Sequence, residues 1–147
     1  MEESYSEHEL SDQLIINRFK PYLDPDESDF YYVLGQKQYS TGGQLFILAL
    51  LGFILGPIFM SKTYFIGLTS HRLLLMNISG GFKEKSFESI EISDIGGVKI
   101  EDKYRYRYVT ILLRTEKEYK FKIEKSLYTV KKQQENLQKM CQILNVQ

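Results

Sequence analysis

The sequence predicts a mainly β fold of the α+β kind: seven short antiparallel strands, a C-terminal helix, a short N-terminal helix, and an apolar hairpin inserted between strands 1 and 2. Three observations carry this. Short β-branched and aromatic runs, broken by Gly, Ser and charged turns, recur from residue 29 to 124. No helical segment alternates with them, which argues against a parallel sheet. The period then changes to a helical one after Ser126. One stretch stands apart: in residues 44–60, QLFILALLGFILGPIFM, eleven of seventeen residues are Leu, Ile or Phe, and no charge occurs between Lys37 and Lys62.

A chain of 147 residues suits one domain with a real core. It divides into residues 1–28, an acidic helix and lead-in loop, and residues 29–147, the β domain carrying the 44–60 insertion. Net charge is zero, yet residues 1–30 hold nine acidic and two basic side chains, minus seven, so the remainder is plus seven. Such asymmetry fits either an ordinary solvated mixed surface or a basic body that meets an anionic surface, with an acidic arm that avoids that surface or masks it intramolecularly. The single cysteine, Cys141, excludes an intrachain disulfide and falls among apolar helical positions, where a buried thiol is expected. The start, MEESYSEHEL, is unlike a secretory signal, so export by cleavage is not expected.

Ser6 followed by Glu9 has capping-box spacing, and Leu10, Leu14, Ile15 and Phe19 recur at helical spacing until Pro21 closes the segment. The apolar side of this helix is expected to pack on the parent domain. PYLDPDES reads as a turn. Phe30 to Val33 open the first strand, over 29–38. The second is expected over Thr63–Thr69 and the third over Arg72–Ile78, joined tightly through Ser70-His71. The Ser79-Gly80-Gly81 break predicts a hairpin whose glycines take positive φ. Apolar parity changes between Phe82 and Phe87, so a bulge is expected near the fourth strand. The fifth strand is placed at Val98–Glu101 after Gly96-Gly97, and the sixth at Tyr108–Arg114. EYKFKIE alternates strictly, with Tyr119, Phe121 and Ile123 on one face. Finally Leu127, Val130, Leu137, Met140, Cys141 and Leu144 share a helical face, with Ser126 as the expected cap.

Three stretches carry a family resemblance. YFIGLTSHRLLLMN has an apolar strand, Thr, a polar pair, Arg and a second apolar strand. SIEISDIGGVKI has a strand, Ser-Asp-Ile and a following strand, and KPYLDPDES has a basic residue, Pro, an apolar pair and an acidic turn. With the element order, these make the chain resemble the bacterial PH-like and GRAM-like families of the pleckstrin-homology superfold, over most of residues 20 to 123. The resemblance implies a seven-stranded sandwich or barrel closed by a C-terminal helix, and a binding module for lipid or protein. In phosphoinositide-binding PH domains the loop between strands 1 and 2 is basic. Here that loop is the apolar run, with only Lys37 and Lys62 at its edges.

Seventeen helical residues reach about 25 Å, short of the roughly 30 Å hydrocarbon core of a bilayer. Gly52, Gly56 and Pro57 interrupt the run. A single crossing would also separate strand 1 from the strands it pairs with. The run is therefore read as a hairpin whose Phe46, Leu50, Leu51, Phe53, Ile54, Ile58 and Phe59 contact a membrane. Lys37 and Lys62, joined by Lys103, Arg105 and Arg107, face the headgroups. The alternative covers the same residues with protein, in a homo-oligomer or with a partner chain. Such a run, left bare, would invite association.

No chemistry is legible. His8 and His71 lie far apart and lack companions at ligand spacing, so no metal is expected. The Gly pairs lack the Lys-Ser or Lys-Thr of a phosphate loop, and no nucleophile elbow occurs, so neither a cofactor nor catalysis is expected. Ser70-His71-Arg72 reads as a turn whose Arg72 anchors that turn or a carboxylate. Lys103, Arg105 and Arg107, interleaved with Tyr104, Tyr106 and Tyr108, could in principle meet nucleic acid. Period two favours a solvated basic face above a Tyr-filled core, and no nucleic-acid partner is expected. The expectation is a non-enzymatic, membrane-associated adaptor or assembly module on the cytoplasmic side of the cell membrane. The alternative is a soluble scaffold in the cytoplasm.

Overall fold

The computed structural model describes residues 10–27, 29–38 and 61–145. The 44–60 run and the Ser6/Glu9 capping box lie outside them. Helix α1 spans Asp12–Phe19, capped by Ser11, whose hydroxyl accepts the Leu14 amide at 3.2 Å. Seven strands follow: β1 Tyr31–Gln38, β2 Ser61–Leu68, β3 Arg72–Ile78, β4 Glu84–Glu91, β5 Ile95–Asp102, β6 Tyr106–Leu113 and β7 Glu118–Glu124. Helix α2, Gln133–Asn145, closes the chain. All strands are antiparallel in one sheet of order β4-β3-β2-β1-β7-β6-β5. This is the expected mainly β, PH-like sandwich with a C-terminal and a short N-terminal helix.

The sheet is buried on both faces along β3. Strand β3, RLLLMNI, has no polar alternation, as a strand covered on two sides should. Leu73 and Leu75 enter the inner core with Val33, Ile66, Ile111, Phe121 and Leu137. Leu74, Met76 and Ile78 enter an outer core with Leu14, Ile15 and Phe19 of α1. Gly67 makes that docking possible, because a Cβ there would stand 3.2 Å from the Phe19 ring. Residues 12–22 are thus packed into the fold, and the buried β3 face could not meet water without them.

Several local expectations need correction. Positive φ in the β3–β4 turn falls on Phe82, at 58°, and not on its glycines. The Phe82 ring packs against the outer core, and its carbonyl accepts Arg18 Nε at 3.0 Å, so tertiary contacts hold a conformation that local propensity disfavours. The bulge is present, with register shifting between Asn77 and Ile78. Strand β5 begins at Ile95 and takes in Gly96 and Gly97, with a second shift there.

The last helix begins at Gln133, six residues later than the Ser126 cap implied. Asp12 instead holds the turn that leads into it. Its carboxylate accepts the Lys131 and Lys132 amides at 2.6 and 3.1 Å, and the Tyr32 hydroxyl donates to it at 2.7 Å. Burial works against the Asp12 charge, but these donors outweigh it and hold the carboxyl below its usual range. Gln133 is buried and clasps the Leu34 amide and carbonyl at 3.0 and 2.9 Å, locking α2 to β1.

Candidate functional site

Strands β1 and β2 pair without interruption from Tyr31↔Leu68 to Gln38↔Ser61. Paired Cα atoms lie about 4.5 to 5.5 Å apart. The chain therefore leaves the sheet at Gln38 and rejoins it at Ser61 in the same place. Whatever covers residues 39–60, this segment starts and ends at one sheet corner, which is incompatible with a single crossing of a bilayer.

That corner is cationic. Lys37 stands directly opposite Lys62 in the β1–β2 register. The Lys37 ammonium lies 4.9 Å from the Tyr119 ring centroid, and that of Lys117 lies 5.0 Å from the same centroid. Partial burial pushes the Lys37 pKa down, Glu88 opposes this, and Lys117 and Lys62 add to it. Glu88 on β4 is the counter-charge: it lies 3.6 Å from Lys117 Nζ and accepts the Tyr119 hydroxyl. Lys37 and Lys117 thus share one carboxylate, with Lys62 directly across the ladder from Lys37. Like charges directly opposite on a sheet are unfavourable, so this arrangement is not explained by stability alone.

The structure brings Lys37 and Lys62 together and adds Lys117, which sequence reasoning missed because it lies in a turn far along the chain. Lys103, Arg105 and Arg107 are elsewhere. Gln38 pairs with Lys120, whereas Arg107 pairs with Ile123 and Tyr106 with Glu124 at the other end of β7. Arg107 is engaged by Asp102 at 2.9 Å, and Asp102 also meets Lys125 at 3.2 Å. Lys103 sits 3.9 Å from Glu101. Among the described residues Arg105 makes no ion pair. The seven apolar contact residues named above, Phe46 to Phe59, lie outside the described residues.

The Tyr-filled core is also corrected. Val109 and Ile111 are buried, so period two turns Tyr106 and Tyr108 outward and Arg107 inward, towards Cys141. Tyr104, at 94% exposure, is at the hairpin tip. The Cys141 thiol is buried, and burial pushes its pKa up.

A second charged cluster is built on a buried carboxylate. Glu27, from the PYLDPDES turn, is 2% exposed. Arg72 donates to both of its oxygens, Nη2 to Oε1 at 2.5 Å and Nε to Oε2 at 3.1 Å, and Thr69 Oγ1 donates to Oε2 at 2.6 Å. Arg72 Nη2 also reaches the Tyr22 carbonyl at 2.8 Å, while the Thr69 hydroxyl accepts the Arg72 amide at 2.9 Å. The Arg72 guanidinium holds the Glu27 carboxyl down to about 2 against the cost of burial. No buried side-chain N or O among the described residues lacks a partner. This cluster ties the lead-in turn to the β2–β3 turn.

A family profile described as Bacterial PH domain matches residues 23–146. The chain belongs to the bacterial PH domain family. No curated protein matches it. Among solved structures, it is similar to the hSac2 domain from human phosphoinositide phosphatase Sac2. The TM-score is 0.52 at 12% identity, over 91% of this chain and 77% of that one, a likeness of fold alone. As a PH-like domain the chain is, in general terms, a module for binding lipid or protein. No helix among the described residues is long and apolar enough to cross a membrane.

Proposed function

We propose that this bacterial PH domain is a non-enzymatic adaptor or assembly module attached to the cytoplasmic face of the membrane, with residues 44–60 entering the interface as a hairpin. The observation that carries the reading is the uninterrupted β1–β2 pairing, which returns an uncharged apolar segment to its starting corner between Lys37 and Lys62. Each arm of about eight helical residues reaches roughly 12 Å, about one leaflet. Eleven Leu, Ile and Phe residues contribute about 3 to 7 kcal/mol on the insertion scale, before the turn and its Gly and Pro are subtracted. Lys37, Lys62 and Lys117 then meet anionic headgroups, which relieve their mutual repulsion. The low count of cations at this corner favours an anionic apolar interface over a tight grip on one headgroup.

Co-sedimentation of the full chain with vesicles of anionic and neutral phospholipid tests this. Binding to anionic vesicles, lost on Leu50→Asp or Phe53→Asp with an unchanged melting midpoint, is the expected result. Recovery wholly in the supernatant, unaffected by either substitution, overturns it. If the unsubstituted chain is instead a stable oligomer that either change converts to monomer, the same segment is a protein interface.

A further inference from the structure

The outer faces of β6 and β7 contribute nothing to the core beneath α1, and their Tyr106, Tyr108, Lys120 and Lys122 are half-buried. Tyr119, Phe121 and Ile123 point inward, so Lys120 and Lys122 point out, in register with Thr110 and Tyr108. Lys122 Nζ lies 4.0 Å from the Tyr106 ring centroid and Lys120 Nζ 5.8 Å from that of Tyr108. Lys99 and Lys103 are paired with Glu101, at 3.1 and 3.9 Å, and Glu124 lies beside Lys122 at the cavity described next. Neither Lys120 nor Lys122 makes an ion pair among the described residues. The result is a Tyr-backed cationic stripe.

A cavity of about 350 Å³ opens at the edge of this stripe, lined among others by Leu10, Leu34, Gln36, Tyr106, Lys122 and Leu127. Leu10 therefore stands at the mouth of the cavity that Lys122 and Tyr106 also line. The residues just before it, MEESYSEHE, hold Glu2, Glu3, Glu7 and Glu9 and no lysine or arginine. Nine residues can span up to about 30 Å, whereas Lys122 and Lys120 are only about 7 Å apart along β7.

We infer that the acidic residues 1–9 are the resident occupant of this face, lying in cis along Tyr106, Tyr108, Lys120 and Lys122 and masking it from anionic partners. The physical warrant is charge complementarity, the point at which the acidic segment emerges, and sufficient reach.

The test is zero-length carbodiimide cross-linking of the full chain at low protein concentration, mapped by mass spectrometry. Backbone amide shifts of the unsubstituted chain and of a Glu2→Gln/Glu3→Gln/Glu7→Gln variant are read alongside it. Cross-links within one chain from Glu2, Glu3 or Glu7 to Lys120 or Lys122 are expected. They should disappear in 1 M salt, where the Debye length is about 3 Å. The substitutions should move the Tyr106, Lys120 and Lys122 amides, and 1 M salt should reproduce that movement. Links from Glu9 alone, which proximity explains, with unmoved amides, overturn the proposal. So do links found only in covalent dimers, which would assign the face to a second copy.

Discussion

The two ends of β2 handle charge in opposite ways. Where β2 runs into Thr69, the Arg72 guanidinium is matched by a buried carboxylate, a hydroxyl and a carbonyl. Where β2 begins, Lys62 faces Lys37 across the ladder and Lys117 stands near, with Glu88 as the counter-charge of Lys37 and Lys117. One end uses charge to join distant segments of chain. The other holds an excess of one sign beside an uncharged apolar segment, a combination that pays for itself only when something anionic or apolar arrives.

The largest effect that can break this comparison is expected at the closed end. Arg72→Ala leaves Glu27 buried and unpaired and should cost about 3 to 5 kcal/mol of stability, read from urea unfolding. Arg72→Lys should recover only part of it, since an ammonium cannot hold both carboxylate oxygens and the Tyr22 carbonyl with fork geometry. An Arg72→Ala protein as stable as the parent would mean that this cluster does not hold the turns together.

Acid should sharpen the contrast next. The Glu27 pKa is depressed in the folded state from 4.5 to about 2. Its stabilisation is therefore complete above the unfolded value and is lost as pH falls from about 4.5 through about 2. Asp12 shifts in the same direction and adds to the loss. Thermal midpoints measured across that range should fall for the parent, and the fall should flatten in Glu27→Gln, whose midpoint is already lowered at neutral pH. A parent curve indifferent to acid would show that the carboxylates are not paired as described.

The smallest effects belong to the open end. Replacing Lys37, Lys62 and Lys117 by Gln one at a time should change stability by no more than about 0.5 kcal/mol. Each should weaken attraction to anionic vesicles by about 1 kcal/mol, roughly fivefold in affinity. Lys103→Gln, at the far end of β7, serves as the control and should change vesicle binding least. Equal losses at Lys103 and Lys62 would erase the distinction between the two ends of the sheet.

Legibility in the sequence follows the range of the interactions. The Arg72–Ile78 strand was readable from a short apolar run between two turns and the Tyr119, Phe121, Ile123 face from strict alternation, both local properties of the chain. The outward turn of Tyr106 and Tyr108 was also readable in principle, from parity with Val109 and Ile111, but the interleaved basic residues drew attention to the wrong face. The Ser126 cap failed for a different reason. The amides before α2 are served by Asp12, more than a hundred residues away, and no spacing rule reaches that far.

By itself, then, the sequence determined how many strands there are, their order, the period of each and the place of the apolar run between the first two, because each depends on neighbours along the chain. Tertiary structure alone decided which charges are closed and which remain open. Glu27 meets Arg72 across the two turns, and Lys117 joins Lys37 and Lys62 across β7 and β1. Those meetings are set by how strands pair and cross in the sheet. Two lysines of identical chemistry can therefore end beside a carboxylate or beside each other, and only the fold distinguishes them.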